Sequence, residues 1–194
     1  MSFELENMCD DLNYNSLMKD RTIYLNDDIN NISIFKTMMF MDKIKISDDI
    51  LEIEAEDRKP INIVINSFGG EIYECLALVS KIESFKNFGY KIITIVSAKA
   101  MSAGFFIFIT GTERHMYKYA TLMCHQPISS CYGPLQNQEE DIAETKRLWD
   151  ILKDLVLNNT KISKVMLSNI KNKKKDFYID SKLALELNCA DIIL

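Results

Sequence analysis

The sequence contains few residues that interrupt or cross-link a chain. Its 194 residues include 6 Gly, 3 Pro and 5 Cys, with the cysteines at positions 9, 75, 124, 131 and 189. No two cysteines form a Cys-x-x-Cys pair, and their spacing fits no common zinc pattern, so we expect no bound metal. The odd cysteine count favours free thiols in a reducing compartment, either the cytoplasm or the stroma or matrix of an organelle.

Long hydrophobic runs are also absent, and basic residues are in the minority. The apolar block at residues 105–109 is far shorter than the roughly 18 residues that a membrane span needs. The acidic first residues contain no apolar signal core. Lys and Arg number 23 against 28 Asp and Glu, which argues against non-specific nucleic-acid binding. We therefore expect a soluble protein that binds neither membrane nor nucleic acid.

What the sequence does contain is a regular alternation of short strand-like and amphipathic segments. With 47% hydrophobic residues, the chain is long enough for one domain with a substantial core. Strands are predicted at residues 21–25, 60–65, 91–96 and 116–123, and helices at residues 30–46, 71–88 and 139–157. Strand, helix and strand in succession predict an α/β fold of βαβ units with a mostly parallel sheet. Residues 1–20 are interpreted as an arm that orders against a partner.

The predicted helix at residues 139–157 has an unusually wide apolar stripe. It includes Leu148, Trp149 and Leu152, with Ile142 nearer the start. A stripe wider than one helix face indicates burial against another subunit as well as against the core. We therefore expect a homo-oligomer.

The chain has two histidines, which limits the search for catalytic groups. His115 lies among charged residues and is predicted to lie on the surface. His125 ends an apolar segment within an uncharged stretch, where it is either a core residue or a functional one. Ser102 stands in a run of small residues, which permits the tight turn that a nucleophile needs. Gly69 and Gly70 follow a buried strand, where bare backbone can approach a ligand.

Taken together, these segments resemble ClpP, the self-compartmentalising serine peptidase. The chain has N-S-F-G-G at residues 66–70, A-M-S-A-G at 100–104 and H-Q-P at 125–127, where the ClpP family has N-S-P-G-G, A-A-S-M-G and H-Q-P. Residues 19–25 are similar to the opening strand of the family, and residues 176–191 are similar to its closing stretch. The resemblance runs from about residue 12 to the C-terminus.

The resemblance implies a role for each matching residue. Ser102 would be the nucleophile and His125 the general base. Backbone N–H groups of Gly70 and Ala103 would form the oxyanion hole, and no cofactor is needed. An extended substrate would pair by strand addition with two edges. Their residues are Gly70, Glu71, Ile72, Ile128 and Ser129.

The resemblance also implies an organisation and partners. A single ClpP/crotonase-like domain would comprise an N-terminal arm at the axial region (residues 1–20), a head (21–128), a protruding helix-strand handle (about 129–160) and a C-terminal head segment (161–194). The family forms two stacked seven-membered rings that enclose the sites. An ATP-driven Clp/Hsp100 unfoldase would feed unfolded polypeptide into the chamber, and a second ClpP-type chain could join the ring.

The third member of the catalytic triad departs from the family pattern. An alignment without gaps places Asn172 at the position of the catalytic Asp, whereas a slip within the Lys/Asn-rich segment would make it Asp176. Asn can hold the histidine ring but carries no charge to stabilise an imidazolium. The equivalent change in a chymotrypsin-type protease lowers kcat by about 10⁴.

The chain differs from the family pattern at two further positions, and two other functions compete with the peptidase. Phe68 replaces the usual Pro of the glycine loop, and Met101 precedes the nucleophile where Ala is usual. Asn172 favours a ClpR-like structural ring subunit that supports an active relative. A crotonase-type acyl-CoA enzyme shares the broad fold, but it would leave Ser102 and His125 without a role. The sequence favours the peptidase.

Overall fold

The structure is a computed structural model that describes residues 20–173 and 175–194. Cys9 therefore lies outside the described residues. So does the predicted N-terminal arm, except for its last residue. Within the described ranges, no helix is both long enough and apolar enough to cross a membrane.

A mostly parallel sheet forms the centre of the fold, as predicted. Seven strands of the described chain belong to it, and β1, β2, β3, β4 and β7 are neighbours in that order. β5 pairs in parallel with the end of β3, and β6 pairs with β5 as the antiparallel member. The strands are β1 (Thr22–Leu25), β2 (Ile61–Ser67), β3 (Ile92–Met101), β4 (Glu113–Met116), β5 (Thr121–Cys124), β6 (Phe177–Ile179) and β7 (Ile192–Ile193).

Helices connect the parallel strands and cover the sheet. The first begins at a capping box, in which the Asn30 side chain accepts the Ser33 N–H while the Ser33 hydroxyl accepts the Asn30 N–H. The helices are α1 (Asn31–Ile50), α2 (Ile72–Asn87), α3 (Ala103–Phe108), α4 (Leu135–Asn159), α5 (Lys164–Lys173) and α6 (Ser181–Glu186), with a 3₁₀ turn at Ala55–Asp57.

Several local predictions differ from the observed elements. Strand β3 runs through residues 97–101, beyond the end of the strand predicted at 91–96. The predicted strand at 116–123 is two strands, β4 and β5, with a turn between them. Helix α1 extends to Ile50, beyond the predicted end at residue 46, and Asp48 near its end forms a buried ion pair with Arg21. His115 lies in β4, is only partly exposed, and bonds with the Glu113 carboxylate at 2.5 Å.

The core lies between the sheet and the helices that pack against it, among them α1, α2, α3 and α4. All six residues of α3 are buried, as are Ile61, Ile63 and Ile65 on one face of β2. Leu148, Trp149, Leu152 and Val156 are buried within the chain itself, so the apolar stripe at this end of α4 contacts the core. Leu135 and Ile142, in the first half of α4, are exposed.

A buried arginine joins the C-terminal segment to the sheet. Arg114 of β4 donates two hydrogen bonds to the Asp191 carboxylate, at 2.9 and 2.6 Å. The same guanidinium donates to the carbonyl oxygens of Asn159 and Asn188. Burial alone would raise the pKa of Asp191, but the hydrogen bonds and charge of Arg114 outweigh it and lower that pKa.

Candidate active site

Three loops meet at the carboxyl end of the sheet. They follow β2, β3 and β5, which are adjacent and parallel, so their ends lie at the same edge. The loops place Gly70, Ser102 and His125 around one cavity of about 180 Å³. Its lining is Gly70, Ile72, Cys75, Ser102, Ala103, Phe106, His125, Gln126, Pro127, Ile128 and Leu152.

Ser102 occupies a sharp turn between β3 and α3. Its φ of 50° and ψ of −120° lie in a region that residues with side chains rarely adopt. The Ser102 N–H donates to the Met123 carbonyl of β5 at 2.8 Å, and the Ser102 carbonyl accepts the Phe105 N–H at 3.0 Å. These bonds hold the turn between β3 and α3, and the Ser102 side chain forms part of the cavity wall.

The glycine loop lies directly against this turn. Gly69 has φ of 108°, and a Cβ at this position would lie 2.6 Å from the Cβ of Ser102. Gly70 has φ of 150°, and a Cβ there would collide with the Ile29 carbonyl. Both positions therefore require glycine, and backbone rather than side chain borders Ser102.

Two backbone N–H groups beside Ser102 are available to a ligand. Hydrogen bonds from Ile29 N–H to Gly69 O and from Glu71 N–H to Ile29 O fix the loop on both sides of Gly70. Ala103 is the first residue of α3, where an N–H has no acceptor within its own helix. In the part of the chain that the structure describes, neither the Gly70 nor the Ala103 N–H donates to another group.

His125 follows β5 and is half-buried in the same cavity. Among residues 20–173 and 175–194, its imidazole makes no hydrogen bond to Ser102 or to any other side chain. The structure thus brings Ser102, His125, Gly70 and Ala103 together around one space, without the hydrogen bond that would activate the hydroxyl.

A groove of about 860 Å³ adjoins the cavity. Gly70, Glu71 and Ile72 form part of one wall, and Ile128 and Ser129 belong to the irregular segment on the other. All five residues predicted to pair with a substrate strand therefore line this groove, of which Gly70, Ile72 and Ile128 also border the cavity.

The structure does not bring Asn172 to Ser102 and His125. Asn172 lies near the end of α5, where its side-chain amide donates to the Ser168 hydroxyl at 3.2 Å. It is exposed and lines a separate cleft between α4 and α5, together with Trp149 and Leu157. The helical spacing of 168 and 172 accounts for this contact. Asp176 is exposed and directly precedes β6.

Sequence reasoning missed a polar link across the groove. The Tyr73 hydroxyl of α2 donates to the Glu144 carboxylate of α4 at 2.7 Å, and Arg147 donates to the same carboxylate. The hydrogen bond from Arg147 has the largest effect and that from Tyr73 the next largest. Together they lower the pKa of Glu144 to about 2, so the carboxylate stays ionised. The i,i+3 spacing of Glu144 and Arg147 was visible in the sequence, but the contact with Tyr73 depends on the fold.

Cys75 was another unpredicted member of the site. It forms part of the cavity wall, and its thiol donates to the Ala103 carbonyl at 3.3 Å. Burial raises its pKa to about 12, so it is a neutral thiol and not a nucleophile. The described residues contain no group of three or more His, Cys, Asp or Glu side chains that could hold a metal ion.

A comparison with protein-family models matches this chain to the Clp protease model over residues 6–194. The chain belongs to the Clp protease family. The predicted resemblance to ClpP is thereby confirmed, and with it a ClpP-type peptidase in general terms. The mostly parallel α/β sheet agrees with the fold expected of the family.

Proposed function

We propose that the chain is a serine endopeptidase in which Ser102 is the nucleophile and His125 the general base. The observation that carries this proposal is the shared cavity, in which both side chains border the free N–H groups of Gly70 and Ala103. A strained nucleophile turn beside unpaired backbone donors is the arrangement that acyl transfer requires.

The reaction follows from these positions. The Ser102 Oγ attacks the scissile carbonyl carbon while His125 takes the hydroxyl proton. The carbonyl oxygen becomes an oxyanion, which accepts the two backbone N–H groups. The C–N bond then breaks, and His125 gives its proton to the leaving amine. Water, deprotonated by His125, hydrolyses the acyl-enzyme and regenerates Ser102.

The substrate is an extended, unfolded polypeptide. Its backbone pairs with residues 70–72 on one side of the groove and with Ile128 and Ser129 on the other, which requires no particular side chain. The apolar part of the cavity, with Ile72, Phe106 and Leu152, receives an apolar side chain of the substrate.

The assembly is a pair of stacked seven-membered rings, joined through a handle at residues 129–160. An ATP-driven Clp/Hsp100 unfoldase supplies the substrate, and a second ClpP-type subunit is an admissible partner. Exposed apolar side chains on the described surface support association, among them Ile32, Phe35, Leu135 and Ile142. The compartment proposed is the cytoplasm, or the stroma or matrix of an organelle.

A second candidate is a ClpR-like ring subunit of weak activity. One observation favours it: within the described residues, no side-chain hydrogen bond joins Ser102, His125 and Asn172. Such a subunit would contribute walls to the chamber while an active relative performs the hydrolysis.

Labelling with a serine-reactive phosphonofluoridate, followed by intact mass, distinguishes the two candidates. Wild type and Ser102→Ala are treated side by side as assembled protein. A single adduct on wild type that is absent from the variant supports an activated Ser102. No adduct on an assembled ring would contradict the peptidase proposal and favour the structural subunit.

A further inference from the structure

A histidine that acts as a general base needs a group that fixes its ring, and the described cavity wall contains no acid for that role. Among the described residues that line the cavity there is no Asp and no Glu; its ionisable members are His125 and the neutral Cys75 thiol. An acid that orients His125 must therefore come from a neighbouring element.

The pairing of β5 with β6 identifies that element. The antiparallel register matches Leu122 with Ile179, Met123 with Tyr178 and Cys124 with Phe177. One further step along the same register matches His125 with Asp176. Residues directly opposite in an antiparallel pair have Cβ atoms about 4.5–5.5 Å apart and point to the same face. A carboxylate and an imidazole can span that distance with one hydrogen bond.

Of the three aspartates in the described residues 176–191, Asp176 is the one with no other role. Asp180 caps α6 by accepting the Leu183 N–H at 2.8 Å. Asp191 is bound by Arg114. Within residues 20–173 and 175–194, the Asp176 carboxylate takes part in no hydrogen bond or ion pair.

We propose that Asp176 is the positioning residue for His125. Its carboxylate accepts the imidazole Nδ1–H, which leaves Nε2 free to take the Ser102 proton. The carboxylate stabilises the imidazolium that forms. Asn172, the expected residue at this position of the triad, is bonded to Ser168 and does not take this role. This inference rests on the proposed peptidase function and adds the group that directs its base.

The first test compares peptide hydrolysis by wild type and Asp176→Asn. We expect kcat/KM to fall by at least about 10²-fold. Replacing the triad Asp by Asn in a chymotrypsin-type protease lowers kcat by about 10⁴. The acidic limb of the pH profile should move to lower pH, since a carboxylate favours the protonated imidazole. Asp180→Asn is the matched control, because Asn also caps helices well and the same charge is lost nearby.

Two results would overturn the proposal. One is an Asp176→Asn variant with the rate and pH profile of wild type. The other is an Asn172→Ala variant that loses activity while Asp176→Asn keeps it, which would make Asn172 the positioning residue. Asp176→Glu should retain part of the rate that Asp176→Asn loses, because it keeps the charge on a longer side chain.

A second measurement separates this proposal from the peptidase function. With two histidines in the chain, ¹³C-labelled imidazole signals can be followed through a pH titration of the assembled protein. Asp176→Asn should move the His125 midpoint to lower pH, because it removes an opposite charge, while the signal of His115, beside Glu113, provides the internal control. The cationic neighbours Lys173 and Lys175 remain in both proteins. A shift without any Ser102 labelling would support the pair and reject the peptidase; an unmoved midpoint would reject the pair.

Discussion

Ser102 stores backbone strain at the point where the chemistry is proposed. Its φ of 50° with ψ of −120° is a conformation that suits glycine. Such a conformation costs about 1–3 kcal/mol in other residues and persists because the surroundings impose it. Here the Met123 carbonyl of β5 and the first turn of α3 hold the residue in place.

Replacing Ser102 by two different small residues should separate strain from chemistry. Ser102→Gly is expected to raise the free energy of unfolding by about 1 kcal/mol relative to Ser102→Ala, because glycine adopts this φ without strain. Both variants should lose peptide hydrolysis. Guanidinium chloride midpoints measured in parallel give the comparison, and equal midpoints would show that the turn is unstrained.

The sequence predicted some site residues and not others for a physical reason. Ser102 and Gly70 stand in local turns that follow strands, so short motifs reveal them. The proposed position of Asp176 opposite His125 depends on the pairing of β5 with β6, two segments far apart in the chain. No local pattern encodes such a pairing, and counting along an alignment therefore favoured Asn172, which the structure places in another cleft.

Helix α3 illustrates the limit of periodicity at the level of elements. All its residues are buried, so its apolar pattern has no polar face from which a period of 3.6 could be read. Helices α1 and α2 each have a solvated face, and their positions were predicted to within a few residues except at the end of α1. The parallel sheet was predictable because strand and helix segments alternate.

Arg114 connects β4, the end of α4 and the segment before β7, and its pair with Asp191 should make stability depend on pH. The folded-state pKa of Asp191 is lowered, so its contribution is present above the unfolded value of about 3.9 and is lost as pH falls through the folded value. At pH 7, Asp191→Asn should lower the free energy of unfolding by about 2 kcal/mol, since it removes the charged acceptor of the hydrogen bonds from a buried guanidinium.

Denaturant midpoints of wild type and Asp191→Asn at several pH values test this link. The difference between the two proteins should be largest near neutral pH and should disappear in strong acid. Asp57→Asn, at an exposed position of the 3₁₀ turn, provides the control and should follow wild type. A difference that is constant with pH would mean that the Asp191 charge contributes nothing.

At the scale of the whole molecule, apolar side chains point outward from α1. Ile32, Phe35, Ile46 and Ile50 are each more than half exposed, whereas Ile34, Met41 and Ile44 on the same helix are buried. A helix with apolar residues on both faces is suited to burial between two neighbours. The expectation of an oligomer thus has support from α1, in addition to the exposed first half of α4.

Phe35→Glu should weaken the assembly. The side chain is 66% exposed in the single chain, and a charge there would be costly to bury in an interface. Light scattering at micromolar protein should give wild type a mass several times 22.4 kDa and the variant a smaller one. Lys36→Gln, at the neighbouring exposed position, should keep the wild-type mass. A monomeric wild type would contradict the proposed rings.

The parallel arrangement of β2, β3 and β5 has a consequence for a chain that is still being synthesised. Parallel neighbours need long connections, so these pairings form late compared with local structure. Gly70, Ser102 and His125 each follow a different one of these strands, and they meet only when the sheet is complete. A nascent chain therefore lacks the assembled cavity until β2, β3 and β5 have paired.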